Sequence, residues 1–381
     1  MRKTKEQLNA LKEKFGVDIL WSWSRYNTYK IDPYGYYLKY IKHEKETKTS
    51  IYCVSGGNCH DIIEKFYNKE IKYEDMISLY EENLFQMNLS NLKYNRKDEK
   101  ANESMANKYE NNIRLFYKNH IPIEGKNITE QFVTIKVGNN VFQGYIDFIT
   151  RDKNGDYHII DWKTSTIYTG KKVLKESGQL ILYAESLIQR GVPIDKIHIK
   201  WNFLKYCTVQ QTLITVDKET KLHKLRNKNC LRTEWVKGIE PNLRKWLKKI
   251  GFNELEIEDS IETSIENNNL DNMPPEIQSK FKILDCYVEI PLTQEIINNL
   301  KKDIIKTIDE ISYKEEQYNK NKDDHLFWTN IDQTNEFFFA NLSGYSSSQH
   351  KPYKEYLNNK NLFKDNQNKK KNDDIDWLND L

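Results

Sequence analysis

Asp147, Asp161 and Lys163 stand in a stretch that otherwise reads as a pair of strands, GYIDFITRDKNGDYHIIDWKT, from Gly144 to Thr164. Lys153-Asn154-Gly155 fits a three-residue loop in which Gly155 supplies the positive φ that closes a bulged hairpin. With Asp152 paired to Asp156, counting outward sets Asp147 opposite Asp161. Lys163 falls on the same face, two residues further on. Ile146, Phe148, Ile160 and Trp162 take the other face and read as core. Carboxylates facing each other across a strand pair repel and weaken it. A bound divalent cation removes that repulsion and gives the pair a purpose. The reading depends on register, because a one-residue slip would turn Asp147 to the opposite face.

Two helices are expected to bring further polar groups to this hairpin. VLKESGQLILYAESLIQRG reads as one helix stopped by Gly191. Its Leu180, Ile181, Leu182, Leu187 and Ile188 supply core contacts, and Gln179 and Tyr183 lie four apart on one face. SGGNCHDIIEKFY reads as a short helix opening after Gly56-Gly57, with His60 and Glu64 four apart. Glu64 reads as a solvated residue near Lys65 or Lys69. Glu130 opens the strand TEQFVTIKV, and whether it turns toward the hairpin depends on the Gly138-Asn139-Asn140 turn.

Taken in order, His60, Gly144-x-x-Asp147, Asp161-x-Lys163-Thr164 and Gln179-x-x-x-Tyr183 resemble the RecB-type branch of the PD-(D/E)xK nucleases. That branch holds the nuclease domains of recombination helicases, CRISPR adaptation nucleases and many phage exonucleases. WSWSRYNTYKIDPYGYYLKYI is similar to the opening helix that precedes the His motif there. The resemblance covers roughly residues 20 to 210. It implies an α/β restriction-endonuclease-like core, with a mixed central sheet flanked by helices, and a mainly helical C-terminal addition. It further implies Mg²⁺ or Mn²⁺ held by His60, Asp147, Asp161 and the main-chain carbonyl of Trp162. Asp147, Asp161, Lys163, Gln179 and Tyr183 would be the catalytic set, with Gln179 and Tyr183 positioning Lys163 and the nucleic-acid backbone. An imidazole ligand tilts such a site toward Mn²⁺. Many members also hold an iron–sulfur cluster on cysteines at the two ends of the domain. Here Asp32 precedes Pro33 where a cysteine would stand, and FFFANLSGYSSSQHKPYKEYL contains none. No cluster is expected, and packing of Phe337, Phe338, Phe339 and Tyr345 would close the ends instead.

Composition sets the frame. The 381 residues carry 59 Lys and Arg against 56 Asp and Glu, a formal charge of +3. Any nucleic-acid surface must therefore be a local stripe rather than a global field. The five cysteines follow no CxxC spacing and read as reduced, partly buried thiols. The 24 tyrosines could stack on bases, although core packing accounts for most of them more simply. No apolar run approaches the roughly 18 residues that cross a bilayer. MRKTKEQLNALKEKF reads as an amphipathic helix rather than a signal peptide, so a cytoplasmic protein of a bacterium or phage-infected cell is expected. With no Walker-type phosphate loop, a helicase or ATPase activity is excluded for this sequence.

Three regions are expected: a nuclease core over 1–216, a helical region over 217–364 and a disordered acidic tail over 365–381. DKIHIKWNFLKYCTVQQTLITV alternates like two strands. The basic stretch from Asp217 to Phe252 reads as helical, with Trp235 and Trp246 interleaved among its cations, and is the candidate phosphate-contacting surface. NELEIEDSIETSIENNNLDNMPPE reads as exposed and partly irregular, KILDCYVEIPL as a strand, and Thr293 to Tyr318 as an amphipathic helix. The tail, with Ile375, Trp377, Leu378 and Leu381, could dock on a replication or recombination protein. The functional expectation is a metal-dependent deoxyribonuclease acting on DNA ends or single strands, an exonuclease before an endonuclease. Its rivals are a structure-specific endonuclease and a non-catalytic DNA-binding scaffold on the same fold.

Overall fold

The computed structural model describes residues 2–95 and 98–361; the expected acidic tail and its docking role lie outside them. The chain forms, in order, α1 (Lys5–Phe15), β1 (Leu20–Trp21), α2 (Trp23–Ile31), α3 (Pro33–Tyr36), α4 (Ile51–Tyr67), α5 (Asp75–Leu89) and α6 (Glu99–Asn119). Then come β2 (Lys126–Val137), β3 (Asn140–Arg151), β4 (Tyr157–Lys163), α7 (Lys171–Glu176), α8 (Gly178–Ile188), β5 (Ile197–Val216) and β6 (His223–Leu231). The last are α9 (Trp235–Lys249), α10 (Glu254–Asn267), α11 (Pro275–Gln278), β7 (Phe281–Ile290) and α12 (Gln294–Asn321). The sheet is mixed. β3 runs antiparallel to β4, β4 parallel to β5, and β6 and β7 antiparallel to β5. This is the α/β arrangement expected. Two compact units emerge, one of Arg2, Ser55–Ile135 and Gly144–Ile297, the other of Lys3–Val54, Lys136–Gln143 and Asn298 onward.

Several elements depart from the sequence reading. The helix expected to open after Gly56-Gly57 begins at Ile51 and runs through both glycines. Ile51, Ser55, Cys59, Ile62 and Ile63 make one buried stripe at helical spacing. Burial of that stripe outweighs the roughly 1 kcal/mol that each internal glycine costs against alanine. The single helix expected around Gln179 is two, α7 and α8, because Ser177 turns its hydroxyl onto the Leu174 carbonyl (2.8 Å) and interrupts the ladder. Gly191 does stop α8. It sits at φ 92°, and the Val192 N–H bonds the Leu187 carbonyl at 3.1 Å. The two strands expected from Ile197 to Val216 are one strand of 20 residues. Its pairing with β7 shifts register between Asn202 and Cys207, so a bulge stands where a turn was expected.

The region from 217 is not wholly helical. Its first part is strand β6, while β7 is the strand expected over KILDCYVEIPL. Trp235 and Trp246 are core residues of α9, not surface platforms. Their indole N–H groups bond the carbonyls of Asn268 (2.9 Å) and Thr212 (2.7 Å). The acidic stretch after Phe252 is ordered as α10. An Asn253–Glu256 capping box starts it, and Ile257 and Ile261 anchor it in the cluster under α9.

In the second unit, the tyrosines of α2 and α3 and the one that follows them face α12. Tyr26 bonds Asp303, Tyr29 bonds Glu310 (2.7 Å), Tyr36 bonds Glu315 (2.9 Å) and Tyr37 meets Tyr318 (3.1 Å). These rings are thus spent on packing. The closure expected from aromatic packing alone is partly polar. Phe339 and Tyr345 are buried, but Phe337 is 50% exposed and Phe338 half-buried. The buried Asp32 carboxylate accepts from His350 Nε2 at 2.9 and 3.1 Å, while His350 Nδ1 accepts from the Tyr353 N–H. A carboxylate that has lost its water needs such a donor, and aromatic contact cannot provide one.

The first unit buries a charged cluster behind β4. Asp285 meets His120 Nδ1 at 2.7 Å and the Arg232 guanidinium at 2.6 Å. His120 Nε2 lies 2.9 Å from the Tyr67 hydroxyl, and the rings of Tyr67 and His120 lie against Trp162. Burial alone would push the Asp285 carboxyl up, yet the hydrogen bond and charge of His120, joined by Arg232, hold it below its ordinary value. A depressed carboxyl stabilises the fold above its unfolded pKa, and that contribution is lost as pH falls through the folded one. Asp285→Ala should therefore cost about 3–5 kcal/mol in urea unfolding at pH 7. The gap to the unsubstituted chain should narrow in acid.

Candidate active site

The β3–β4 hairpin has the register that the carboxylates require. Phe148 pairs with Ile160, Ile149 with Ile159, Thr150 with His158 and Arg151 with Tyr157. One step further outward the same register sets Asp147 opposite Asp161, and the charge of each carboxyl bears on the other. Gly155 at φ 84° closes the turn, and the Asp152 N–H reaches the Asp156 carbonyl at 3.0 Å. Alternation does the rest. Ile146, Phe148, Ile160 and Trp162 are all at most 2% exposed, so the intervening residues must point to the other face.

α4 lays His60 over this pair. Its Nε2 stands 2.8 Å from the Trp162 carbonyl and its Nδ1 3.2 Å from Asp147 Oδ2. Lys163 Nζ closes the other end, 2.6 Å from Asp161 Oδ2. Contacts thus run from Trp162 through His60 to Asp147 on one side of the pair, and from Lys163 to Asp161 on the other. A carbonyl and a carboxylate both accept, so an imidazole serving both donates from both nitrogens and carries a proton. The electrostatics agree. Burial opposes charge on His60, but the hydrogen bond and charge of Asp147 raise its pKa above the usual value. Burial pushes the Asp161 carboxyl up to about 6, helped by Asp147 against the pull of Lys163. Asp147 is less deeply buried, and against the upward push of burial the hydrogen bond and charge of His60 hold it low. Lys163 is raised, since Asp161 and Asp147 overcome its desolvation, and it remains a cation.

α8 supplies the remaining wall. Gln179 Nε2 donates to the Tyr183 hydroxyl at 3.0 Å, as the spacing of four allows. A side chain at position 144 would meet the Tyr183 ring at 2.9 Å, so only glycine lets β3 and α8 approach this closely. Burial chiefly, with the charges of Asp147, Asp161 and Glu130, raises the Tyr183 pKa.

Glu130 and Glu64 also belong here, although the sequence reading left the first open and placed the second in solvent. Glu130 has φ 45°, a left-handed residue within strand β2, and its Oε2 is buried with no hydrogen-bond partner. Arg2 approaches that oxygen to 3.8 Å. Burial, then the charges of Asp147 and Glu64, raise the Glu130 pKa. Glu64 is half-buried, and Lys65 pairs with Asp61 instead (2.7 Å). The spacing of four from His60 was the available signal for Glu64. For Glu130 a strand out of φ range has no signature in the sequence.

These donors fit a divalent cation. Two opposed carboxylates, an imidazole and a main-chain carbonyl are hard or intermediate ligands of the kind Mg²⁺ and Mn²⁺ accept. The buried, unbonded Glu130 oxygen and the raised Asp161 carboxyl are the excess negative potential that such an ion would relieve. Among the described residues, Asp323, Asp324 and His325 bring their ligand atoms within 4.8 Å of one another, which His60, Asp147 and Asp161 do not, but that group is largely exposed and Asp324 is already engaged by Lys351.

The sequence model of the PD-(D/E)XK nuclease superfamily matches residues 20–264. That span is well over half of the chain, which belongs to this superfamily. Its members are nucleases that use divalent metals. No curated protein matches the chain. Among the described residues no helix is long and apolar enough to cross a membrane.

Cation binding must displace protons here, because Asp161 holds one below about pH 6 and His60 holds one above the usual histidine range. Affinity for Mn²⁺ should therefore rise as pH increases through 6 and continue to rise as His60 deprotonates. Calorimetric titration in buffers of different ionisation enthalpy should register proton release that is larger at pH 6 than at pH 8. His60→Gln should remove the larger share of it, and Asp161→Asn the part that Asp161 gives up near pH 6.

Proposed function

We propose that this superfamily member is a RecB-type, divalent-metal-dependent deoxyribonuclease. In this reading it acts as an exonuclease on linear ends or single strands of DNA, in phage or bacterial recombination, repair or replication. The observation that carries the reading is the opposed carboxylates Asp147 and Asp161, flanked by His60 on the Trp162 carbonyl and by Lys163. The exonuclease mode and the biological setting rest on the RecB-type order of motifs.

Asp147 and Asp161, with His60 and the Trp162 carbonyl, would hold Mg²⁺ or Mn²⁺. The bound ion supplies acidification of a water and neutralisation of charge growing on the phosphate. His60 gives up its proton to serve, and its nitrogen favours Mn²⁺. Lys163, kept protonated by its two carboxylate neighbours, is suited to donate to a phosphate oxygen and hold the attacking water in line, not to act as base. Tyr183, fixed by Gln179 and by contact with Gly144, presents a hydroxyl on the same wall and would orient the scissile strand. The products would be a hydroxyl and a phosphate end, with no covalent enzyme intermediate.

End-labelled linear single- and double-stranded DNA, and closed circles, in Mg²⁺, Mn²⁺ or EDTA test this. Linear substrates should be degraded only with metal, circles should survive, and Asp161→Ala should abolish cleavage. Lys163→Ala should lower kcat by about 10²–10³ with little change in DNA binding. Cut circles would turn the reading to an endonuclease. Binding without cleavage in every metal would turn it to a scaffold.

A further inference from the structure

β4 ends at Lys163, whose partner on β5 is Phe203, but β5 continues to Val216. That overhang is roughly 40 Å of strand at about 3.3 Å per residue. Ile199–Asn202 pair with both β4 and β7, and Cys207–Gln211 with both β6 and β7. β4 and β6 therefore share the edge of β5 opposite β7, and β6 takes that edge over where β4 has left it. Its inner end, Leu231, pairs with Tyr206, three residues past the partner of Lys163. β5 and β6 form a ribbon leaving the end of the sheet that carries the site. Beyond Gln211, which pairs with Phe281 at the end of β7, it is two-stranded.

The ribbon's chemistry is one-sided. From Lys224 to Asn229 every residue of β6 is exposed, an uncommon state for a strand in a sheet. Neither Ile197–Val216 nor Lys221–Leu231 contains an Asp or Glu. Lys224, Arg226 and Lys228 recur at every second position, so they share a face about 6.6 Å apart. Arg226 has no carboxylate partner among the described residues. Lys228 bonds only a carbonyl, that of Gly238 (2.6 Å), and Lys224 lies 3.9 Å from Asp217 in the hairpin turn. Lys228 and Arg226 pair with Val209 and Gln211, neither of which compensates their charge.

We propose that the β5–β6 ribbon is a nucleic-acid arm, with Lys224, Arg226 and Lys228 contacting successive phosphates of the strand that passes through the site. The spacing of the cations suits neighbouring phosphates of an extended strand. With Asp217 in the turn as the one carboxylate near these three cations among the described residues, most of their charge is left for an anionic partner. The inference rests on the nuclease reading and adds to it a place of grip. The nearest cation, Lys228, lies level with Val209, roughly 20 Å along β5 from Phe203. Only substrates several nucleotides long can reach both ends. The competing account is that lysines blunt an exposed sheet edge against pairing with another chain.

The full chain carrying Lys224→Gln, Arg226→Gln and Lys228→Gln together separates the two. Binding to labelled single-stranded DNA of about 4 and about 20 nucleotides is measured in EDTA across a salt series. An equal charge change on α9, Lys237→Gln, Lys245→Gln and Lys248→Gln, is the control. The ribbon variant should lose about tenfold or more in affinity for the longer strand, with a log–log salt slope shallower by about 2. Affinity for the short strand and metal-dependent cleavage of it should be unchanged, and the α9 control should bind like the unsubstituted chain. Unchanged affinity and slope, with self-association of the ribbon variant, would overturn the arm in favour of edge protection. Equal losses in the α9 control would overturn it in favour of a diffuse field. Either result leaves the nuclease reading standing, whereas no DNA binding by the unsubstituted chain would overturn both.

Discussion

Two carboxylates set opposite each other across an antiparallel pair are the constraint from which the rest of the nuclease unit follows. Asp161 is almost wholly out of water and Asp147 keeps 18% of its side chain exposed, so their mutual repulsion is only partly screened. The fold does not relieve it by widening the hairpin, whose register runs without a break up to the pair. It relieves it with positive charge and protons. His60 bridges to one carboxylate, Lys163 to the other, and Asp161 retains its proton to about pH 6. A site balanced in this way by removable protons is prepared for a divalent ion, since each proton that leaves makes room for charge the ion brings.

Trp162 ties that site to the core. Its carbonyl faces His60, while its indole rests on Tyr67 and His120, which are fixed in turn by Asp285 and Arg232. A buried charge cluster of this kind is seldom a net gain over apolar packing, because desolvation consumes most of the Coulomb energy. What it confers is orientation: a hydrogen-bonded imidazole and phenol cannot slide against the tryptophan ring as aliphatic groups can. On the far side the approach of Tyr183 to Gly144 fixes α8 by van der Waals contact. The site is therefore held between one polar and one steric support, with no loop bearing its central groups.

Elements governed by short-range rules were legible in the sequence. The hairpin followed from turn chemistry and period-two alternation, and the stop of α8 from a glycine that adopts φ 92°. Elements governed by tertiary burial were not. The start of α4 was hidden because paired glycines read as a boundary, although the buried stripe continues beneath them. β5 lacked any turn residue between its halves, yet its 20-residue length exceeds what periodicity leads one to expect. β6 looked helical from its lysines, and only pairing with β5 makes it a strand. The tryptophans of α9 could be read as platforms or as core, and hydropathy alone does not choose between them.

The site shows the same division at finer scale. Asp147, Asp161, Lys163, His60, Gln179 and Tyr183 were placed by spacing, and the structure brings all six into one neighbourhood. Glu130 was not, and the reason is physical. A strand at ordinary dihedrals alternates its side chains, and parity alone would then fix which way position 130 points. A single residue at φ 45° breaks the alternation and re-aims the side chain, at a cost of order 1 kcal/mol for a non-glycine residue. Strain of that size in the middle of β2, spent to turn a carboxylate toward two others that repel it, has no stabilising return in the protein by itself. It is repaid only when positive charge arrives, and Arg2 at 3.8 Å is too far and too exposed to supply enough of it. The left-handed kink at Glu130 thus sets a further carboxylate in the electrostatic field of Asp147, where parity along an ordinary strand would not have announced it.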